Sequence, residues 1–256
     1  MSATLAVPTA TEVPWLRQVW VVARWRFGRA STQLGMIVVV QIALAVSTVL
    51  GYGLLIGEPP AEARLYLATG AATIMLMAVG LILAPQMIIE SRQEGSLDWL
   101  RALPLSRVAI LVADAALWTA LALPGVILGL ATGLTRFSVK PSLQWWTVLV
   151  FLAVAVISTG VGQGLALVLP PMVGQAVAQL LVFIVLLFSP VSFPAERLPN
   201  WLATAHSVLP FESMANLMRA AVLSETFSAT LRDWLVVSAW LVAAVAAATT
   251  ALSRRR

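Results

Sequence analysis

The chain has 256 residues, of which 60% are hydrophobic and 11% charged, with a mean hydropathy of +0.93. Soluble globular chains carry about 25% charged residues, so composition alone makes this an integral membrane protein. Its net charge of +5 is scattered over the ends of apolar runs and argues against a nucleic-acid partner, while the absence of cysteine excludes disulfides and thiolate chemistry.

The first patterned segment is Trp15 to Arg29. On a 3.6-residue helix Leu16, Val19, Trp20, Ala23 and Phe27 make an apolar stripe, with Arg17, Arg24 and Arg26 to its sides. Such a stripe predicts an amphipathic helix lying at the membrane interface over 15–29; a plain cytoplasmic extension of the first span fits the same residues. The first 33 residues lack the apolar core and small-residue site of a cleaved signal peptide, so the first span is expected to be an uncleaved anchor.

Uncharged runs follow at 30–57, 65–89, 115–135 and 234–253, and a run of 55 residues at 141–195 is broken by Pro170 and Pro171. A hydrocarbon core of about 30 Å takes about 20 helical residues, so the long run supplies two spans and the total is six. Lipid leaves backbone groups unsatisfied, and runs this continuously apolar satisfy them as helices. The expectation is an all-α membrane protein forming one transmembrane domain over 1–256, with no intervening stretch long enough for a soluble module. With both termini inside, the inner segments hold ten arginines (17, 24, 26, 29, 92, 101, 107, 254, 255 and 256) against Arg64, Arg136, Lys140, Arg197, Arg219 and Arg232 outside. The positive-inside rule therefore places both ends in the cytoplasm.

Within the spans, Gly125, Gly129 and Gly133 repeat at four-residue spacing, as do Gly160 and Gly164. Small residues so spaced let helix backbones approach closely, here most simply within one subunit. Gln41, Gln86, Gln163, Gln175 and Gln179 read as buried amides in need of partners; Gln163, Gln175 and Gln179 are also candidates for a substrate path. Asp114 is the one carboxylate well inside a span, which makes it a functional candidate, although an arginine near the cytoplasmic end could simply pair with it. The sole histidine, His206, has no companion at ligand spacing, so no metal site is expected. No Gly-x-Ser-x-Gly elbow and no phosphate-binding Gly-x-x-x-x-Gly-Lys loop occurs, so any ATP and its Mg must sit on another chain.

Between the second and third spans, Glu90 to Arg107 interleaves three acids and three arginines with Leu97, Trp99, Leu100 and Leu103. Gly95 and Ser96 can end one helix and cap the next, Asp98 suits the new helix's first turn, Pro104 stops it, and Ser106 can start the third span. The product is a short amphipathic cytoplasmic helix that either docks into a partner or rests on the membrane surface. A second unusual segment, 190–224, carries prolines at 190, 194, 199 and 210 that forbid a continuous helix, and short half-helices dipping into the outer leaflet are expected, with Trp201 at the interface.

These two segments resemble those of the membrane subunits of type 2 ABC exporters, the drug-exporter-like branch in particular. After the second span that family has an acidic and basic run, Gly-Thr-Leu-Glu, a leucine and a Thr-Pro-Leu-like turn; here Glu90, Arg92, Glu94, Gly95, Ser96, Leu97, Asp98, Leu100, Pro104 and Leu105 stand at the matching places. The outer segment is similar through its Phe-Pro (193–194), Leu-Pro-x-Trp (198–201) and Leu-Pro (209–210) elements followed by Arg219. The resemblance implies a permease that binds no cofactor itself and works with ABC ATPase subunits and a second membrane subunit, identical or homologous, in the inner membrane of a bacterium. The 90–107 loop would transmit ATPase motion through Glu90, Arg92, Glu94, Gly95, Ser96, Leu97, Asp98 and Leu100. A drug or lipid is the expected cargo, with polysaccharide or haem as alternatives. An ion-coupled carrier is the rival class, disfavoured by the single intramembrane acid and the lack of an evident inverted repeat; a membrane enzyme is disfavoured by the missing nucleophile and base.

Overall fold

The structure is a computed structural model that describes residues 13–253; residues 1–12 and 254–256, and the side chains of residues 29–33, 98, 101, 252 and 253, lie outside the described residues. Three of the ten arginines assigned to the inner side, at 254–256, fall in that excluded part. The described residues form no strand, and six helical stretches are long and apolar enough to cross a bilayer: Leu34–Ile56, Ala61–Gln93, Arg107–Arg136, Thr147–Val168, Pro171–Phe188 and Leu231–Ala251. The chain is thus an all-α, multi-pass membrane protein.

Helix α1 (Trp15–Ile56) carries the first span. The second is built of α2 (Ala61–Ala78), a π-helical stretch Val79–Leu83, and α3 (Ala84–Gln93). After the short α4 (Ser96–Ala102) come α5 (Arg107–Arg136), α6 (Thr147–Val168) and α7 (Pro171–Phe188). The 190–224 segment folds as α8 (Asn200–Val208) and α9 (Pro210–Val222), and α10 (Leu231–Ser253) is the last span.

Proline sets several of these boundaries. Pro171 and Pro210 each occupy the first turn of a helix, where the missing N–H would have had no partner, and the turn at Pro170–Pro171 separates α6 from α7. In 190–224 the prolines divide the chain as expected into a 3-10 turn at Ala195–Arg197, α8 and α9, with Trp201 exposed. Helix α9 lies among the spans, and Met214, Leu217 and Ala221 are fully buried. Arg219 holds the segment in place. Its guanidinium donates to the carbonyls of Pro190 and Val191 at 2.8 and 2.7 Å and to Asn216 Oδ1 at 2.6 Å, and lies 4.2 Å from the ring centre of Tyr66 on α2. Burial lowers its pKa to about 10, so the charge persists at neutral pH.

Residues 15–29 join the first span in one helix: α1 runs without a break from Trp15 into the span. Leu16, Trp20 and Phe27 are exposed as the stripe requires, whereas Gln18, Val22 and Arg26, at four-residue spacing on another face, are buried. Arg26 is therefore not an anchor flanking the stripe.

The second and third spans form the middle of the bundle, with 78% and 67% of their apolar windows buried against 17% for the fifth. Glycine brings the helices together. Gly125 and Gly129 of α5 meet Gln41 and Ala45 of α1, and a Cβ at Gly133 would strike the Ala68 carbonyl of α2. The repeat thus serves packing within this subunit. Gly160 meets Ala244 of α10 in the same way, while Gly164 has open space before it. Gly80 of the π-helical stretch abuts Ser158 and Thr159 of α6, where a Cβ on Gly162 would in turn strike the Gly80 carbonyl.

Candidate functional site

Five spans contribute to one apolar cluster around α4. It contains Val22 from α1, Ile88 and Ile89 from α3, Leu97 and Leu100 from α4, Ile110 and Ala113 from α5, Ala166 and Leu167 from α6, and Ala251 from α10. The hairpin between the second and third spans therefore sits at the same end of the bundle as the start of α1 and the end of α10. This is the up-and-down order of an even number of spans.

The hairpin turns at Gly95, whose φ of +72° lies in the left-handed region that a side chain disfavours. The Ser96 hydroxyl donates back to the Ser91 carbonyl at 3.4 Å rather than capping α4. Pro104 follows the helix as expected, and Ser106 precedes α5 in extended conformation. The Ser106 N–H donates to the Gln18 side-chain oxygen at 2.9 Å, so the N-terminal part of α1 supplies the cap that the third span lacks locally.

Two arginines tie this end together. Arg92 donates from one guanidinium nitrogen to the carbonyls of Ala166 and Leu169, at 2.6 and 2.8 Å, satisfying the C-terminal end of α6. Its role is a cap inside the subunit. Arg26 is buried and lies 2.8 Å from Asp114, with a further bond at 3.3 Å to the other carboxylate oxygen and one at 3.4 Å to the Ser91 hydroxyl. Gln163 of α6 donates to the same carboxylate at 3.1 Å. Asp114 is accordingly the centre of a network joining α1, α3, α5 and α6. Its arginine comes from α1, not from the neighbouring Arg107.

The distribution of faces on α4 corrects one expectation. Leu97 and Leu100, assigned to contact with a partner, are 1% and 2% exposed, and they anchor the helix to the spans instead. The accessible side of the hairpin carries Glu90, Gln93, Glu94, Gly95 and Trp99. Trp99 is 53% exposed and packs at 5.6 Å, centre to centre, on Trp25 of α1. The side chain of Asp98 lies outside the described residues.

The five glutamines do not share one environment. Gln41 and Gln163 are buried, as expected, Gln86 is half-buried, and Gln175 and Gln179 are exposed on α7. Their common helix face was legible; its direction was not, because a face turned to lipid or to another subunit is as apolar as a core. Gln163 also borders a cavity of about 220 Å³ between α5, α6 and α10, yet its amide is committed to Asp114. The residues that sequence reasoning missed are Gln18, Val22 and Arg26. Their four-residue spacing was a usable signal, overlooked beside the larger aromatic stripe.

The fold and this site define a polytopic membrane subunit with a short helix fastened across one end of its bundle. The family model of ABC-2 type transporters matches residues 17–223, and the chain belongs to that family as a permease subunit. A direct comparison with curated proteins gives no match. Family membership implies an ABC ATPase as partner.

Proposed function

We propose that this chain is the membrane half of an ATP-driven exporter, moving a hydrophobic or amphipathic molecule outward together with separate ATPase subunits and a second membrane subunit. The observation that carries the reading is the two-sided α4: Leu97 and Leu100 fix it to the spans, while Trp99 and the acids Glu90 and Glu94 remain accessible. A lever between a moving partner and the spans needs both sides. ATP and Mg would be bound by that partner, and the hairpin end would face the cytoplasm of a bacterial cell, with both termini there. The reading puts a second membrane subunit against α7, and it is supported by Gln175 and Gln179, two amides on an exposed face where lipid offers no hydrogen bonds. The ion-coupled alternative loses ground because Asp114, its necessary acid, is occupied by Arg26 and Gln163.

The test is affinity purification of the chain in mild detergent from its native host, with mass spectrometry of what accompanies it. An ATPase subunit should co-purify at equal stoichiometry with the wild type and be lost from Trp99→Asp, while the variant elutes as a monodisperse species. Transport that survives ATP depletion, with no ATPase bound, would overturn the reading.

A further inference from the structure

At the end of the bundle opposite the hairpin, a groove of about 320 Å³ is lined by Tyr52 and Ile56 of α1, Ala63 and Leu67 of α2, Leu187 of α7, and Arg197. That volume is at the lower end of small-molecule sites. Its level in the bilayer follows from the spans. Ile56 is the last residue of the first span and Leu187 the last but one of the fifth, so the mouth lies where hydrocarbon gives way to headgroups. Leu67 stands six residues into the second span, so the groove reaches about 9 Å toward the bilayer centre. Ile56 and Leu187 are 50% and 59% exposed, which leaves the mouth open to lipid.

Arg197 differs from the other arginines at this end. Arg64 pairs with Glu58 at 3.1 Å, Arg136 donates to the Gly53 carbonyl, Arg219 to those of Pro190 and Val191, and Arg232 to that of Ser207. Each of these four guanidiniums holds a piece of the protein. Among the described residues the exposed Arg197 side chain has no ion-pair or hydrogen-bond partner. The adjacent acid does not neutralise the groove: Glu196 acts, with Glu62 and Glu212, on Tyr66, whose ring faces Arg219 and which is not part of the lining.

We propose that this groove holds a phospholipid of the adjoining leaflet, with its phosphodiester on Arg197 and the upper part of one acyl chain between α1, α2 and α7. A guanidinium matches the paired oxygens of a phosphate, and at this depth the anion available to it is a lipid phosphate. Below the charge the lining offers an acyl chain only apolar side chains and the Tyr52 ring. The lipid would brace the 190–197 segment from the membrane side, as Arg219 does from within by its bonds to residues 190 and 191. In the orientation proposed above the leaflet is the outer one; the binding itself does not depend on that orientation or on export.

The full chain, purified in dodecyl maltoside and stripped of lipid, is titrated with dioleoylphosphatidylglycerol, and binding of the first lipid is read by native mass spectrometry. Arg197→Gln should weaken that binding about tenfold, equivalent to about 1.4 kcal/mol. Lys140→Gln, which removes the same charge from an exposed position outside the groove, should leave it unchanged. Ala63→Trp should fill the groove and abolish first-lipid binding; if that variant is not monodisperse, Ile56→Trp at the exposed mouth takes its place. Dioleoylglycerol, which lacks the phosphate, should bind about tenfold more weakly than the phospholipid and be indifferent to Arg197→Gln. Glycerol 3-phosphate in excess should not displace the phospholipid. Equal losses in the Arg197 and Lys140 variants would reduce the effect to general surface charge, and undiminished binding in the groove-filling variant would place the lipid elsewhere; either overturns the proposal. Dioleoylglycerol bound as tightly as the phospholipid, or displacement by glycerol 3-phosphate, overturns it too, in favour of bare acyl contact or a soluble-anion site.

Discussion

Replacing Arg26 by methionine retains most of the aliphatic stem and deletes the guanidinium. In the native chain the Arg26 and Asp114 side chains are 1% and 2% exposed and 2.8 Å apart, so no water compensates the carboxylate left behind. Removing one member of a buried pair costs about 3–5 kcal/mol. The bond from Gln163 is made in wild type and variant alike and leaves the carboxylate partly satisfied, so Arg26→Met should fall at the lower end of that range, about 3 kcal/mol. Asp114→Leu leaves Arg26 with only the longer 3.4 Å contact to Ser91 and should approach the full cost. The double variant removes both charges together and should lie near wild type, so the coupling energy should equal nearly the whole sum of the two single costs. Reversible unfolding by sodium dodecyl sulfate in mixed micelles, followed by tryptophan fluorescence, measures all three. Single variants within about 0.5 kcal/mol of wild type, or a double variant equal to the sum of the singles, would refute the reasoning. The same experiment bears on mechanism. Asp114→Asn should keep transport dependent on ATP, and its abolition with ATPase binding and hydrolysis intact would favour ion coupling.

Leu97→Asp should destabilise the whole chain by several kcal/mol, because it buries a charge in the cluster shared by five spans, and should be recognised by loss of monodisperse protein rather than by loss of a partner alone. Were it to fold normally and lose only the ATPase, the inward placement of Leu97 would be wrong. Gly162→Val forces a side chain into the Gly80 carbonyl and should separate the second and fourth spans; cross-linking between cysteines placed at residues 76 and 158 should fall sharply, whereas Gly164→Val, facing open space, should leave it unchanged. Reporter fusions after residue 253 and within 91–103 should give the same sidedness, and one near Ala195 the opposite; a fusion at 253 matching Ala195 would break the six-span order.

Much of the architecture was legible in the residues themselves. Span number follows from uninterrupted apolar length against bilayer thickness, and the breaks at Pro170–Pro171 and at prolines 190–210 follow from a missing N–H and a fixed φ. The turn at Gly95 was legible for a similar reason, since the left-handed conformation it adopts is one that a side chain resists. These are local or one-dimensional constraints, and sequence carries them in full.

Sidedness and partnership are different in kind. In a chain whose lipid-facing surfaces are as greasy as its core, periodicity does not say which apolar face turns inward. Leu97 and Leu100 therefore looked available to a partner until packing against Val22, Ile88 and Ala166 placed them inside, and Gln175 and Gln179 looked buried until α7 was found at the edge. Asp114 could have met any arginine at its end of the bundle. Its partner Arg26 lies 88 residues away, and only the docking of α1 against α5, at glycines that admit its backbone, brings the two charges together.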